Sequence, residues 1–225
     1  MEAFGLRERK KLRTRASLIE AAAELCVRQG YDNTTVEQIA AAADVSPRTF
    51  SRYFSTKGSV VTAIVDDMDV YIAAALARQP TDIDEYEALL RAHLEVFGPD
   101  KEYPTPGFLR MAVMIQIVNG SVSIRSAAMA HQRGITQDAS AVVMGKRLGV
   151  APDHPVIRII ADTWTMLFAT SFTGLGQPGN DPIDARIVCE RLCAAFELFR
   201  RSWSPWSASG ASGAEGQPPA SATNR

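Results

Sequence analysis

Cysteine is scarce in this chain of 225 residues, which contains only three. Cys26, Cys189 and Cys193 show no pairing typical of a metal site, and the last two lie four residues apart on one helical face. A disulfide does not form easily across that geometry within one helix. We therefore expect all three cysteines to be small core side chains in a reduced cytoplasm.

Catalytic and membrane-spanning patterns are also missing. The three histidines lie in separate segments, at His93, His131 and His154. The chain has no glycine-rich phosphate loop, no nucleophile elbow, and no apolar run near the roughly twenty residues of a membrane span. No signal peptide precedes its basic start. We therefore predict a soluble intracellular protein that is not an enzyme and that holds no metal and no cofactor.

The net charge of −1 conceals an uneven distribution of charge. Residues 1–60 carry ten lysines and arginines against seven acidic residues, whereas the rest of the chain carries fourteen against eighteen. The basic excess is concentrated in residues 7–15, which include Arg13. A basic arm of this kind suits the phosphates of nucleic acid. The alternative is the solvated start of an ordinary helix.

Residues 34–57 have the pattern of a helix-turn-helix. Thr34 lies three residues before Glu37, which is the capping-box spacing at the start of a helix. The first helix then stops near Asp44, and aspartate tolerates the left-handed backbone that a tight turn needs. We therefore predict a first helix, a sharp turn at Asp44, and a second helix after it.

The second helix of this unit carries its own start signal and a buried face. Ser46 is suited to cap it, and Pro47 suits its first position, where no amide hydrogen is needed. Because each residue turns the helix by about 100°, Phe50 and Phe54 lie side by side with Tyr53 flanking them. We expect these aromatic side chains to anchor the helix.

Two arginines lie on the opposite face of that helix. Arg48 and Arg52 are one turn apart and point about 160° to 200° away from Phe50, with Thr49 and Ser51 to either side. Such a helix suits the major groove of DNA, where arginine grips guanine by two hydrogen bonds. The alternative is a solvated charged face on an ordinary helix pair.

A set of residues within and beside this unit forms a recognisable pattern. It consists of Gly30-Tyr31, Thr34-Thr35-Val36, Ala40, Ser46, Thr49-Phe50, Tyr53-Phe54 and Lys57. The pattern resembles the DNA-binding domain of the TetR family of transcriptional regulators, over about residues 10–60. The resemblance implies that Thr35, Tyr53 and Lys57 contact phosphates. Three residues depart from the family's common pattern, Asp44, Ser51 and Gly58, and Ser51 removes a usual aromatic contact.

The sequence therefore predicts a DNA-binding surface of ten residues. They are Arg13, Thr35, Ser46, Pro47, Arg48, Thr49, Ser51, Arg52, Tyr53 and Lys57.

The rest of the chain shows helical periodicity and no alternating strand pattern. A first helix with an inner stripe of Leu12, Ala16, Ile19, Ala23 and Cys26 is predicted to end at Gly30. Further helices are predicted over about 59–78, 82–97, 105–118, 122–148 with a candidate kink at Gly134, 153–172 and 181–203. We therefore predict an all-α protein of about nine helices. Its predicted parts are an arm and helix-turn-helix head over 1–58, an effector-binding and dimerisation body over 59–203, and a disordered tail over 204–225.

The central helices of the body carry flexible and aromatic side chains that favour a ligand pocket. The candidates are Arg110, Met111, Met114, Gln116, Trp164, Met166 and Phe168, with Arg110 and Gln116 as polar anchors. The alternative for each is an ordinary core position. Together they predict an apolar effector with one polar or anionic group. Resemblance to a branch with a Ser-Pro-Arg-Thr-Phe recognition helix implies an acyl-CoA-like or other hydrophobic ligand.

The last two helices carry apolar stripes broader than one interface needs, which predicts a homodimer through Leu192, Phe196 and Phe199. The function expected from all these features is that of a transcriptional repressor released from an inverted-repeat operator by a small ligand. The helix over 59–78 is expected to couple ligand to head. The alternatives are a helical-bundle carrier or enzyme that retains the head, and a constitutive DNA-binding protein without effector.

Overall fold

The computed structural model describes residues 2–125, 139–177 and 183–209, and the predictions for His131 and Gly134 lie outside these ranges. Within them the chain is helical and has no strand, which confirms the all-α prediction. The helices are α1 (Glu2–Gln29), α2 (Val36–Ala42), α3 (Pro47–Phe50), α4 (Lys57–Thr62), a 3₁₀ turn (Ala63–Val65), α5 (Asp66–Leu76), α6 (Glu85–Phe97), α7 (Pro106–Gly120), α8 (Ala139–Leu148), α9 (Pro155–Ser171) and α10 (Ala185–Ser209). Residues 122–125 form a further helical turn. None of the described helices combines the length and the apolarity that a membrane span requires.

The buried stripe of α1 differs from the predicted one. Leu18, Ala22 and Leu25 are buried together with the predicted Cys26, whereas Leu12 is 60% exposed. Ala16 is exposed as well, and Ile19 and Ala23 are only half-buried. The first half of α1 extends beyond the helices that pack against it, so its apolar residues have nothing in the described chain to cover them.

The cap of α2 lies one residue later than predicted. The hydroxyl oxygen of Thr35, not that of Thr34, accepts a hydrogen bond from the Gln38 amide at 3.2 Å, and the Gln38 side chain accepts one from the Thr35 amide at 2.9 Å. Thr34 is buried, and its hydroxyl donates to the carbonyl of Gly30 at 2.9 Å. Both threonines fit a capping-box pattern, and Thr35 has the extended backbone that a cap needs.

The predicted helix over 59–78 is divided in the structure. The short helix α4 passes through the 3₁₀ turn Ala63–Val65 before α5 begins at Asp66. Five β-branched residues, Val60, Val61, Thr62, Ile64 and Val65, fall in this stretch, and such residues have lowered helix propensity because their side chains crowd the preceding turn. The connection between head and body is therefore two helices joined by a tighter turn.

Two apolar clusters form the interior, and α7 contributes to both. One cluster unites α1 to α4 and also contains Met114, Ile117 and Ile124. The other unites α5 to α10 and contains Met111 and Ile115 of α7. The helix α7 is therefore central to the interior of the described chain. The domain boundary placed after residue 58 stays a prediction, and the packing is continuous across it.

One buried arginine closes the connection between α5 and α6. The Arg147 guanidinium donates to the Glu85 carboxylate at 2.7 Å, to the Gln79 carbonyl at 3.0 Å and to the Pro80 carbonyl at 2.9 Å. Because these acceptors lie on the turn that enters α6, the end of α8 is joined to that turn. Burial of such a pair demands that every donor find an acceptor, and here most of the guanidinium is satisfied.

The structure corrects two predictions about the end of the chain. Leu192 and Phe196 are buried within one chain, and Phe199 packs its ring against Tyr86 with centroids 5.1 Å apart. This stripe packs against the body core of its own chain, which leaves Leu192 and Phe196 without exposed surface for a second copy. The last helix also runs to Ser209, past the predicted tail start at Ser204, because a helix that has already formed propagates easily. Residues 210–225 lie outside the described residues.

A buried histidine lies at the centre of the body. The Nδ1 atom of His93 lies 2.7 Å from the Leu89 carbonyl, and its Nε2 atom accepts a hydrogen bond from the Trp164 indole at 3.3 Å. This arrangement requires a neutral ring with its proton on Nδ1. Burial lowers the pKa of His93 from 6.5 to about 4, and the bond to Leu89 opposes this only in part.

We predict that His93 makes folding depend on pH between about 4 and 6.5. In this range the unfolded chain takes up a proton that the folded chain does not, so the free energy of unfolding falls as the pH drops from 6.5 to 4, by on the order of 3 kcal/mol at most. Urea denaturation across this range should show the fall in wild type and a flatter dependence in His93→Gln. The exposed-site variant His154→Asn should keep the wild-type slope; equal slopes in wild type and His93→Gln would contradict the prediction.

Candidate DNA-binding face and effector cavity

Helix α3 is short and is held from both ends. The Ser46 hydroxyl oxygen accepts a hydrogen bond from the Thr49 amide at 3.1 Å, and Pro47 is at the first helical position, as predicted. The turn after α3 continues the helical path, since the Phe54 amide donates to the Phe50 carbonyl at 3.0 Å. Before it, Asp44 adopts the predicted left-handed backbone, with φ of 54°. The predicted cap, turn and proline are therefore confirmed.

The aromatic anchor of α3 is also confirmed. Phe50 and Phe54 are buried in the head cluster, with ring centroids 5.8 Å apart, and Tyr53 is half-buried beside them. The Arg15 guanidinium of α1 lies over the Phe54 ring, 5.4 Å from its centroid. These contacts fix the rotation of α3 about its own axis, so the direction of its other face follows from them.

That other face is open to solvent. Arg48, Ser51 and Arg52 are exposed, and Thr49 is half-buried with its hydroxyl 3.0 Å from that of Ser46. The ion pairs of the described residues include neither arginine. Two guanidiniums are therefore presented without competing carboxylates, which is what base or phosphate contact needs.

The remaining predicted DNA contacts lie on neighbouring elements. Arg13 is exposed on α1, and Thr35 is exposed at the start of α2. The capping bond uses the oxygen of the Thr35 hydroxyl as acceptor, so its own hydrogen is free of the cap. These positions suit contacts to phosphates, and the roles stay predictions.

Lys57 has a different environment from the one that a phosphate contact implies. Its ammonium donates to the carbonyls of Tyr31 and Thr34, both at 2.7 Å, and lies 4.1 Å from the centroid of the Tyr31 ring. Two of its three donors are thus used inside the protein. Lys57 joins the start of α4 to the turn between α1 and α2, and a phosphate would have only the third donor.

A cavity of about 250 Å³ lies between the head–body connection, α7, the turn 122–125 and α9. Its lining is mainly apolar. The lining residues are Thr62, Val65, Met111, Met114, Ile115, Val118, Asn119, Arg125, Thr165, Met166, Phe168, Ala169, Thr170, Phe172 and Thr173. Four of the seven predicted effector residues are among them, namely Met111, Met114, Met166 and Phe168.

Three predicted effector residues are not part of this lining. Trp164 is buried in the body core beside His93, Gln116 is exposed, and Arg110 donates to the Ile64 carbonyl at 3.5 Å. On α7 the cavity face follows the spacing 111, 114, 115 and 118, which is one helical stripe. Positions 110 and 116 fall beside that stripe. The helical spacing alone therefore indicates that Arg110 and Gln116 do not share a face with Met111 and Met114.

The cavity also has residues that the sequence analysis missed. Asn119 donates from Nδ2 to the carbonyls of Phe172 at 2.6 Å and Leu175 at 2.9 Å, which joins the end of α7 to the turn after α9. Thr62 and Val65 come from the head–body connection. Neither contact leaves a periodic signal, because each joins segments far apart in the chain.

The segment 121–125 contacts the head and the cavity together. The hydroxyls of Ser121 and Ser123 both donate to the carboxylate of Asp32, each at 3.1 Å, and Asp32 lies in the turn between α1 and α2. Ile124 is buried in the head cluster, and Arg125 lines the cavity. Arg125 in the cavity wall is therefore at most four residues along the chain from the side chains that contact the head.

Comparison with known proteins agrees with the geometry of the head. Residues 18–64 match the family model described as bacterial regulatory proteins of the tetR family. The chain is also 42% identical over 113 residues to the HTH-type transcriptional regulator TcmR of Streptomyces glaucescens. That match covers 49% of this chain and 50% of TcmR, so the chain spans about half the length of the curated relative it matches.

Solved structures show a more distant likeness. FadR of Thermus thermophilus, a TetR-family transcriptional repressor solved in complex with lauroyl-CoA, is 22% identical with a TM-score of 0.46, over 92% of this chain and 100% of that one. A TetR-family transcriptional regulator from Streptomyces coelicolor is 18% identical with a TM-score of 0.46, over 88% of each chain. Neither score is high enough to assign a ligand to this chain.

We predict that Lys57→Met destabilises the protein through the turn between α1 and α2. The change leaves two carbonyls without their charged donor, and one such bond is worth about 1.5 to 3 kcal/mol. Urea denaturation of the variant should show a loss of that size. Lys10→Met, at an exposed position of α1, should change stability by less than about 0.5 kcal/mol. If the two variants were equally stable, Lys57 would not be a structural brace.

Proposed function

We propose, on the premise that residues 18–64 form a TetR-family DNA-binding domain, that the chain is a transcriptional repressor that a small ligand releases from its operator. The observation that carries this proposal is the face of α3, where Arg48 and Arg52 are exposed opposite a buried aromatic anchor. A regulator of this kind needs no catalytic group, and its ligand changes an equilibrium.

Reading of the operator follows from the direction of the two arginines. With α3 in the major groove, each guanidinium is able to donate two parallel hydrogen bonds to the O6 and N7 atoms of guanine. Arg13, Thr35 and Tyr53 would then contact phosphates, which positions the head without specifying sequence. Ser51 is small and its hydroxyl donates to the Pro47 carbonyl at 3.1 Å, so it contributes space more than contact.

Ligand response follows from what borders the cavity. Thr62 and Val65 of the head–body connection are part of its wall, and Met114 belongs both to the wall and to the head cluster. A ligand alters DNA affinity only through a difference in its affinity for two arrangements of the heads. A molecule filling this cavity would press on the connection and shift the head, so ligand binding and DNA binding would oppose each other.

The cavity supports this proposal over that of a constitutive DNA-binding protein. An empty apolar cavity lowers the stability of a protein. A constitutive DNA-binding protein that binds no ligand would gain nothing in return for this loss. At about 250 Å³ the cavity is slightly smaller than the roughly 300 Å³ at which ligand pockets usually begin. It suits a small aromatic molecule or an acyl chain; of an acyl-CoA-like ligand, only the acyl part would fit.

Dimerisation is proposed through the outer faces of α9 and α10. Three large apolar side chains on them are strongly exposed, Ile159 at 62%, Met166 at 66% and Leu198 at 67%. The two helices pack against each other, so these residues lie on neighbouring surfaces. A second copy related by two-fold symmetry would cover them and would place two α3 helices on an inverted repeat.

We predict that the protein protects an inverted repeat in the DNA next to its own gene, and that Arg48→Ala and Arg52→Ala each cost about 1 to 3 kcal/mol of binding and relax preference at particular base pairs. Arg13→Ala should instead weaken all sequences alike and lower the salt dependence. Footprinting and fluorescence anisotropy with single-base operator variants would measure both effects. Arg91→Ala, on the exposed face of α6, is the control. Unchanged base preference in both α3 variants would show that α3 is not the reader.

We also predict that Ile159→Glu and Leu198→Glu convert a dimer into folded monomers, because a charge would be buried in the interface. Light scattering after size exclusion would give the mass, and circular dichroism would show retained helix. Tyr103→Glu, at a position that is also strongly exposed, should stay dimeric. Leu192→Glu should unfold the body instead, since Leu192 faces its core. Wild-type protein that is monomeric at micromolar concentration while binding its operator tightly would contradict the dimer.

A further inference from the structure

One polar atom in the cavity wall has no partner. The Nε atom of Arg125 is buried, and nothing among the described residues accepts a hydrogen bond from it. Arg125 lines the cavity, and it is the only charged residue among the described lining residues. A buried charged donor without an acceptor is costly, and proteins keep few of them. Its presence in a cavity wall points to an acceptor that arrives from outside the protein.

Four other polar side chains of the wall already have acceptors for their hydrogens. Asn119 donates from Nδ2 to two carbonyls, as described above. The hydroxyls of Thr62, Thr170 and Thr173 each donate to a carbonyl of the preceding turn, at 3.2, 2.8 and 3.2 Å. These four side chains are therefore occupied by the fold, whereas the buried Nε of Arg125 has no acceptor among the described residues.

The surroundings of Arg125 favour an anionic acceptor. The ion pairs of the described residues do not include Arg125, and no carboxylate is among the described residues of the wall. Methionine and phenylalanine side chains make up much of the remaining surface, and a charge-assisted hydrogen bond is stronger where water is excluded. A cation in such a wall selects a ligand with one negative group and an apolar remainder.

We propose that Arg125 is the anion-binding residue of the cavity and that the effector is an apolar molecule carrying a single carboxylate. The carboxylate accepts from the Arg125 guanidinium, and the apolar part lies against Met111, Met166 and Phe168. The assignment of this molecule as the effector rests on the proposed regulatory function; the binding of an apolar carboxylate does not.

The position of Arg125 also connects this anion to the head. Ile124, its neighbour in the chain, is buried in the head cluster, and Ser121 and Ser123 hold Asp32 of the turn before α2. A ligand that draws Arg125 toward itself acts on a segment that contacts the head through Ser121, Ser123 and Ile124. The negative charge of the ligand would therefore contribute both to its affinity for the cavity and to the shift of the head.

The test compares matched acids and alcohols on the full chain. Decanoate with 1-decanol, and 2-naphthoate with 2-naphthylmethanol, differ in charge at nearly constant size. Calorimetric titration and the ligand-induced change in melting temperature should show that wild type binds at least one acid about ten- to hundredfold more tightly than its alcohol. Arg125→Met should abolish this preference while keeping affinity for the alcohol, and Arg125→Lys should restore part of it. Arg110→Met, the neighbouring arginine outside the wall, should keep the full preference.

The outcomes separate this inference from the proposed function. If no acid binds wild type more tightly than its alcohol, or if Arg125→Met keeps the preference, Arg125 is not an anion site and the inference fails. Operator binding without ligand is measured on the same preparations. An Arg125-dependent preference in a protein that does not bind operator DNA would support the anion site and overturn the regulatory function. Release of operator DNA by the preferred acid in wild type but not in Arg125→Met would support both.

Discussion

The packing of Phe50 and Phe54 into the head cluster is the contact on which the rest of the head depends. A helix as short as α3 has too few internal hydrogen bonds to define its own orientation, since isolated helices of this length are unstable in water. Its rotation is set by the two buried rings behind it, by the Ser46 cap and by the left-handed turn at Asp44. The direction of Arg48 and Arg52 is therefore a consequence of apolar packing on the opposite face of α3.

The parts of the molecule that could be predicted from the sequence are those with local signals. The turn at Asp44, the cap at Ser46, the proline after it and the aromatic pair are each determined by residues within one or two turns of each other. The choice between Thr34 and Thr35 as the cap of α2 failed because both fit the spacing, and only tertiary burial of Thr34 decides between them. The break at Ala63–Val65 was not predicted because the apolar periodicity continues through these residues, whereas the backbone changes there from an α-helix to a 3₁₀ turn.

Errors in the body have a different cause. An apolar stripe shows that a face is buried but not what buries it, so Leu192 and Phe196 were assigned to a second chain when they face their own core. The arginine of the cavity was missed for a similar reason. Arg110 lies within an apolar helix and attracts attention, whereas Arg125 lies in a polar stretch and acquires its position only when the turn 122–125 folds against the head. Partners distant in the chain leave no pattern in a single sequence.

The place of α7 in both apolar clusters has a consequence for the modular exchange of such proteins. Met114, Ile117 and Ile124 complete the core around α1 to α4, so the first 64 residues alone would leave that core open on one side. A head transplanted onto another body would meet foreign side chains at these three positions and at the two serines that hold Asp32. Chimeric proteins would therefore fold only where the recipient body supplies a matching surface. A chimera that preserves these contacts would take residues 114–124 from the same protein as the head. In the proposed function, a new operator specificity would arise most easily by substitution on α3 itself, which leaves these contacts between head and body unchanged.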